Sequence, residues 1–140
     1  MYYDIPITIP PNTLEVTPVR VELKLTHGVI TRVIVRPRPG HASLAHLRVI
    51  YQGHQIYPAN RDSDLHGDTF PMEWEEYIEL LSAPYTLILE GWNDDDTYPH
   101  TFDFGVALIE RKFTLTYVML KAVSQLAGIF SPRRLFTGGK

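Results

Sequence analysis

Period-two alternation of apolar and polar residues runs through most of this chain. Over residues 19–26, Val19, Val21, Leu23 and Leu25 alternate with Arg20, Glu22, Lys24 and Thr26, the pattern of a strand with one buried face. His27-Gly28 ends that run. Val29, Ile30, Val33, Ile34 and Val35 then predict a second strand over 29–36. Arg36-Pro37-Arg38-Pro39-Gly40 is a loop, because each proline removes a backbone donor and restricts the residue before it. Further strands are predicted over 44–51, over 54–57, from Phe70 through Met72 and Trp74, over 85–92, and along His100, Phe102, Phe104, Val106 and Leu108. Residues 77–81 either extend the Trp74 strand or bend into a turn. The Pro-containing stretch 5–10 fits an edge strand. Gln52-Gly53, residues 58–64, Ser82-Ala83-Pro84 and Asn93-Asp94-Asp95-Asp96 carry turn chemistry.

About eight short strands with no helical crossover between them predict an all-β fold. The expected architecture is a single antiparallel β-sandwich over residues 1–112, with a jelly roll as its natural form. The alternation fails after residue 112. Residues 113–130 are apolar except for Thr114, Thr116, Lys121, Ser124, Gln125 and Gly128, and helix formers predict a helix over 117–129 that Pro132 stops. Such a helix gathers Lys121, Ser124, Gln125 and Gly128 near one face and leaves the rest apolar. This C-terminal helix or arm packs on its own domain, on a neighbouring subunit or on a membrane. A spanning helix needs roughly 20 apolar residues, and this run is short and interrupted.

Charge sharpens the division. Residues 1–112 hold nine Lys/Arg against all sixteen acidic residues, a net charge of −7, whereas Lys121, Arg133, Arg134 and Lys140 give residues 113–140 a charge of +4. An acidic body is unsuited to nucleic acid, which demands a broad positive face. The absence of cysteine excludes disulfides, Cys-based zinc sites and a thiol nucleophile. The start Met-Tyr-Tyr-Asp-Ile-Pro has no basic, apolar leader, so the expected location is cytoplasmic, or a virion if the chain is viral.

Candidate chemistry is sparse. Asp62, Asp64, Asp68 and Glu73 fall at positions one, three, seven and twelve of a calcium-loop spacing, with Gly67 at six. His66 occupies a position where an oxygen ligand belongs, and the flanks are strand-like, so an acidic turn is the expectation and no metal or other cofactor is assigned. Asp94-Asp95-Asp96 reads as a solvated hairpin tip. His46 and His54 flank one turn and approach each other across it. No catalytic residue is assigned, since no nucleophile, base and orienting group occur in a recognisable arrangement and no phosphate-binding glycine loop is present. Tyr57, Trp92 and Tyr98 lie next to polar loops; core and rim packing of the sandwich is the expectation, and a stacking platform for a sugar or a partner surface is the alternative.

The succession Gly28-Val29-Ile30, Gln55-Ile56-Tyr57-Pro58, Trp92-Asn93 and His100 resembles small jelly-roll structural proteins of phage capsids, the decoration (cement) or minor head proteins, over residues 5–112. That resemblance implies a non-enzymatic structural protein, a homo-oligomer such as a trimer, clamped to a capsid-like lattice by terminal arms. The arm would use Tyr117, Leu120, Leu126, Ile129, Phe130, Arg133 and Arg134. Two alternatives stand beside it: a carbohydrate- or ligand-binding sandwich using the loop aromatics, and a peripheral membrane protein held by its C-terminal segment.

Overall fold

The computed structural model describes residues 1–129. Nine strands precede one helix: β1 (Tyr2–Ile9), β2 (Val19–Lys24), β3 (Val29–Pro37), β4 (Ala45–Tyr51), β5 (His54–Tyr57), β6 (Leu65–His66), β7 (Met72–Glu79), β8 (Thr86–Asn93), β9 (His100–Ile109) and α1 (Thr114–Ile129). Pairing is antiparallel and nested. β1 pairs with β9, β2 with β8, β3 with β7, and β4 with β5 and β6. The innermost hairpin turns at Gln52 and Gly53, both at positive φ (48° and 78°), as a tight two-residue hairpin turn demands. Rolled up, this nested ribbon gives two sheets, β1-β9-β3-β7 and β2-β8-β4-β5, which is the jelly-roll order.

The expected sandwich is therefore the observed one, with one more strand than anticipated. β5 and β6 lie end to end along β4: Val49–Tyr51 pair with β5, and His46 and Leu47 pair with β6. Together they fill one position of their sheet.

Inward residues from both sheets make one core. Ile7 and Ile9 of β1, Val33 and Val35 of β3, Leu47 and Val49 of β4, Leu87 and Leu89 of β8, and Phe102, Phe104, Val106 and Leu108 of β9 are all fully buried. β9 lies between β1 and β3, which explains its uninterrupted alternation. β3 breaks strict alternation because its register slips between Ile30 and Arg32. The extra residue lets Ile30 and Val33 both face inward, three positions apart.

Several boundaries differ from expectation. β1 begins at Tyr2 rather than near Ile5, and Pro6 sits on an edge strand, where its missing N–H costs no ladder bond. Phe70 does not alternate with Met72 and Trp74. It follows Thr69, whose positive φ turns the chain, and it is exposed. Residues 77–79 extend β7, and α1 begins at Thr114 after a single 3₁₀ turn at Arg111–Phe113.

Two positions test the packing. A Cβ on Gly91 of β8 would lie 2.4 Å from Ile9 Cδ1 of the opposite sheet, so the sheets approach here only because this residue has no side chain. Gly91→Ala is expected to destabilise the fold by about 1–3 kcal/mol, measured by urea denaturation. His41 is buried in the β3–β4 loop against His100 and Phe102, and its Nε2–H donates to the Thr101 carbonyl at 2.8 Å. Among the described residues its Nδ1 has no partner. Burial lowers the His41 pKa, and the neighbouring His100 adds to that, against the opposing pull of the Thr101 carbonyl and Asp68. The unfolded chain thus binds a proton on this histidine more readily than the native one. Stability should fall as pH drops below about 6.5, the ordinary histidine value, and His41→Gln should flatten that part of a stability-versus-pH profile.

Candidate functional site

The outer face of the β2-β8-β4 sheet should be solvated, because the inner face already supplies the core. Around Glu90 and Trp92 it is not. Glu90 is 3% exposed and Trp92 7%. Residues 10–18, between β1 and β2, and residues 58–64, between β5 and β6, cover this part of the sheet, and a crevice of about 580 Å³ opens between Glu15, Arg48, His54, Arg61, Asp62 and Trp92.

Register builds the cluster. Glu90 stands opposite Arg20 on one side and Arg48 on the other, and Trp92 stands opposite His46. Arg20 Nε and Arg48 Nε each donate to a different Glu90 carboxylate oxygen at 2.7 Å. Arg48 also donates to Glu15 at 3.2 Å, and its guanidinium lies 5.2 Å from the Trp92 ring centroid. The His46 imidazole stacks on Trp92 with 5.2 Å between centroids and 4° between planes.

Beyond His46 the short β6 strand brings in two further groups. His46 Nδ1 and His66 Nδ1 each lie 2.8 Å from Asp64 Oδ1. His46 Nε2 lies 3.2 Å from Asp94 Oδ2. Burial pushes the Asp64 carboxyl up, but hydrogen bonds and charge from His46 and His66 outweigh it, and the group ionises below the ordinary carboxylate range. Gln55 holds the covering loop in place by donating to the carbonyls of Pro58, Asn60 and Ser63.

The calcium-loop spacing does not close into one site. Asp64 belongs to the histidine cluster, Asp68 accepts the Gly40 amide at 2.9 Å, Glu73 pairs with Arg32, and Asp62 lines the crevice. His54 also lines the crevice, and the histidine across from His46 is His66. The three aromatics do not form a platform. Tyr57 is 2% exposed and packs edge-on against Trp74, Trp92 is covered, and only Tyr98 presents a free ring. Burial, with the charge of Glu76 adding to it, pushes the Tyr57 phenol well above its ordinary pKa.

The acidic tip is a built turn. Asn93, 1% exposed, donates to the carbonyls of Pro10 and Tyr98 and accepts the Asp95 amide. Asp95 in turn accepts the amides of Thr97 and Tyr98 and faces His100 Nε2 at 2.8 Å. His100 is thus hydrogen-bonded at the start of an interior strand.

What sequence reading missed is the His46–Asp64–His66 group. Its signal, Asp64-Leu65-His66, is a strand of two residues whose meaning depends on its register with β4. No family model matches the chain, and no curated protein is significantly similar to it in sequence.

Glu90 is the electrostatic hinge of this face. Glu90→Ala leaves Arg48 beside Trp92 without its main partner and should cost roughly 2–3 kcal/mol, less than a fully buried pair because Arg20 is largely exposed. Thermal denaturation of Glu90→Ala beside Glu90→Gln, which keeps one acceptor, checks this.

Proposed function

We propose that this protein is a non-enzymatic structural component that assembles with copies of itself through α1, and that the assembled form decorates a capsid-like shell. One observation carries the reading: α1 ties Lys121, which is half-buried, to Glu75 of β7 and leaves a run of large apolar side chains in solvent. Tyr117, Val118, Lys121, Ala122 and Gln125 border a crevice against Thr31, Glu75 and Tyr77. Leu115, Met119, Leu120, Val123 and Leu126 are each more than half exposed. A helix that simply completed its own domain would bury such residues against it.

The spacing of the outward residues favours a second copy as the occupant. Met119, Val123 and Leu126 follow one another by four and three positions, the alternation of a helix–helix seam. Of the arm residues expected from sequence, Tyr117, Leu120 and Leu126 are exposed on α1 and Ile129 is its last residue, while Phe130, Arg133 and Arg134 lie outside the described residues. Charge supports the shell reading, since a basic segment follows an acidic sandwich and suits an acidic neighbour. The jelly-roll order supports it as well, being an architecture that viral shell domains use. Among the described residues no helix is long and apolar enough to cross a membrane.

Light scattering coupled to size-exclusion chromatography tests the proposal on the full chain. Wild type is expected to elute as an oligomer. Met119→Lys with Leu126→Lys should weaken association roughly 100-fold or more, the loss of about 3 kcal/mol of apolar burial, while the sandwich melts as before. A monomeric wild type, an oligomer indifferent to both substitutions, or flotation of the wild-type monomer with liposomes would overturn it.

A further inference from the structure

We infer that His46, Asp64 and His66 form a binding site for one divalent transition-metal ion of the zinc class. This site lies on the sandwich, away from α1, and does not depend on the assembly reading. The candidate ligand atoms of the three residues all lie within 4.8 Å of one another. They come from three separately anchored places: β4, the end of the covering loop, and β6.

The donor chemistry is selective. Two imidazole nitrogens and one carboxylate oxygen suit zinc, with water in the fourth position, whereas calcium needs six to eight oxygens. Ligand atoms around tetrahedral zinc sit about 3.3 Å apart, given bonds of roughly 2.0–2.1 Å. The two Nδ1···Oδ1 distances of 2.8 Å are those of a closed hydrogen-bonded cluster. Opening them by about half an ångström is within reach of His66, whose side chain is 55% exposed.

A second observation concerns His46 itself. A metal-bound imidazole commonly turns its other nitrogen to a carboxylate, which sets the tautomer and strengthens the donor. His46 has that arrangement, with Nδ1 toward Asp64 and Nε2 3.2 Å from Asp94. Trp92, stacked flat on the ring, fixes its orientation.

Calorimetric titration of the full chain with zinc chloride tests the site, with Co²⁺ absorption as a probe of coordination. Wild type should bind one Zn²⁺ per chain, and Co²⁺ should give the intense visible bands of a four-coordinate ion. His66→Ala and Asp64→Asn should each weaken binding at least tenfold, whereas His54→Ala, which alters a neighbouring crevice histidine, should stay within twofold of wild type. Because His66 is exposed, its variant should keep the metal-free melting temperature, which separates lost binding from lost folding. Failure of wild type to bind Zn²⁺, binding unchanged in both His66→Ala and Asp64→Asn, or a preference for Ca²⁺ over Zn²⁺ would overturn the inference.

Discussion

The pairing of β1 with β9 is the contact on which the rest of this fold depends. It joins the two ends of the nested ribbon over eight residue pairs, Tyr2 with Ala107 through Ile9 with His100. The Met1 ammonium donates to the Leu108 carbonyl, and the Leu108 amide returns a bond to Met1 at 2.7 Å. With that seam closed, Ile7 and Ile9 lie beside Phe102 and Phe104 in their own sheet and face β8 across the sandwich, and the core becomes continuous. Without it, β9 would be an edge carrying the most apolar face in the chain, a surface prone to pairing with other chains.

Once the two inner faces are satisfied, the outer faces are free to carry chemistry, and they do so unequally. On the β1-β9-β3-β7 sheet the outward residues make exposed ion pairs, such as Arg38 with Asp103 and Arg32 with Glu73. Such pairs contribute little to stability. On the other sheet two loops fold down over Glu90, Trp92 and His46, and polar groups are drawn out of water together. Burial of that kind requires every partner to be in place, so this is where a single substitution matters most.

Legibility in the sequence followed how local the physics was. The alternation along β9 and β2 could be read because each residue's environment repeats every second position. The phase slip at Ile30 and Arg32 was visible as the pair Val29-Ile30 followed by Val33, yet its cause, a bulge, emerges only from pairing with two neighbours. β6 was not legible, since two residues show no period. Trp92 and Tyr57 were expected first as core and rim packing of the sandwich, with a surface platform as the alternative, and both are buried. Their burial comes from a distant loop and from Trp74, neither of which local pattern encodes. The apolar arc of α1 was readable, while its contact with the sandwich, which includes the ion pair of Lys121 with Glu75, depends on a strand 46 residues earlier that no local pattern points to.

Nesting also imposes an order in time. The β4–β5 hairpin closes across two residues, whereas the seam between β1 and β9 must wait for a segment about 100 residues further along. Loop-closure entropy favours closure from the hairpin outward, since each pair formed makes the next loop shorter. The helix lies beyond β9 in the chain, so during synthesis its exposed apolar residues emerge only after every strand of the sandwich has been made. Any contact made through those residues is therefore made by a chain whose sandwich strands are all already present.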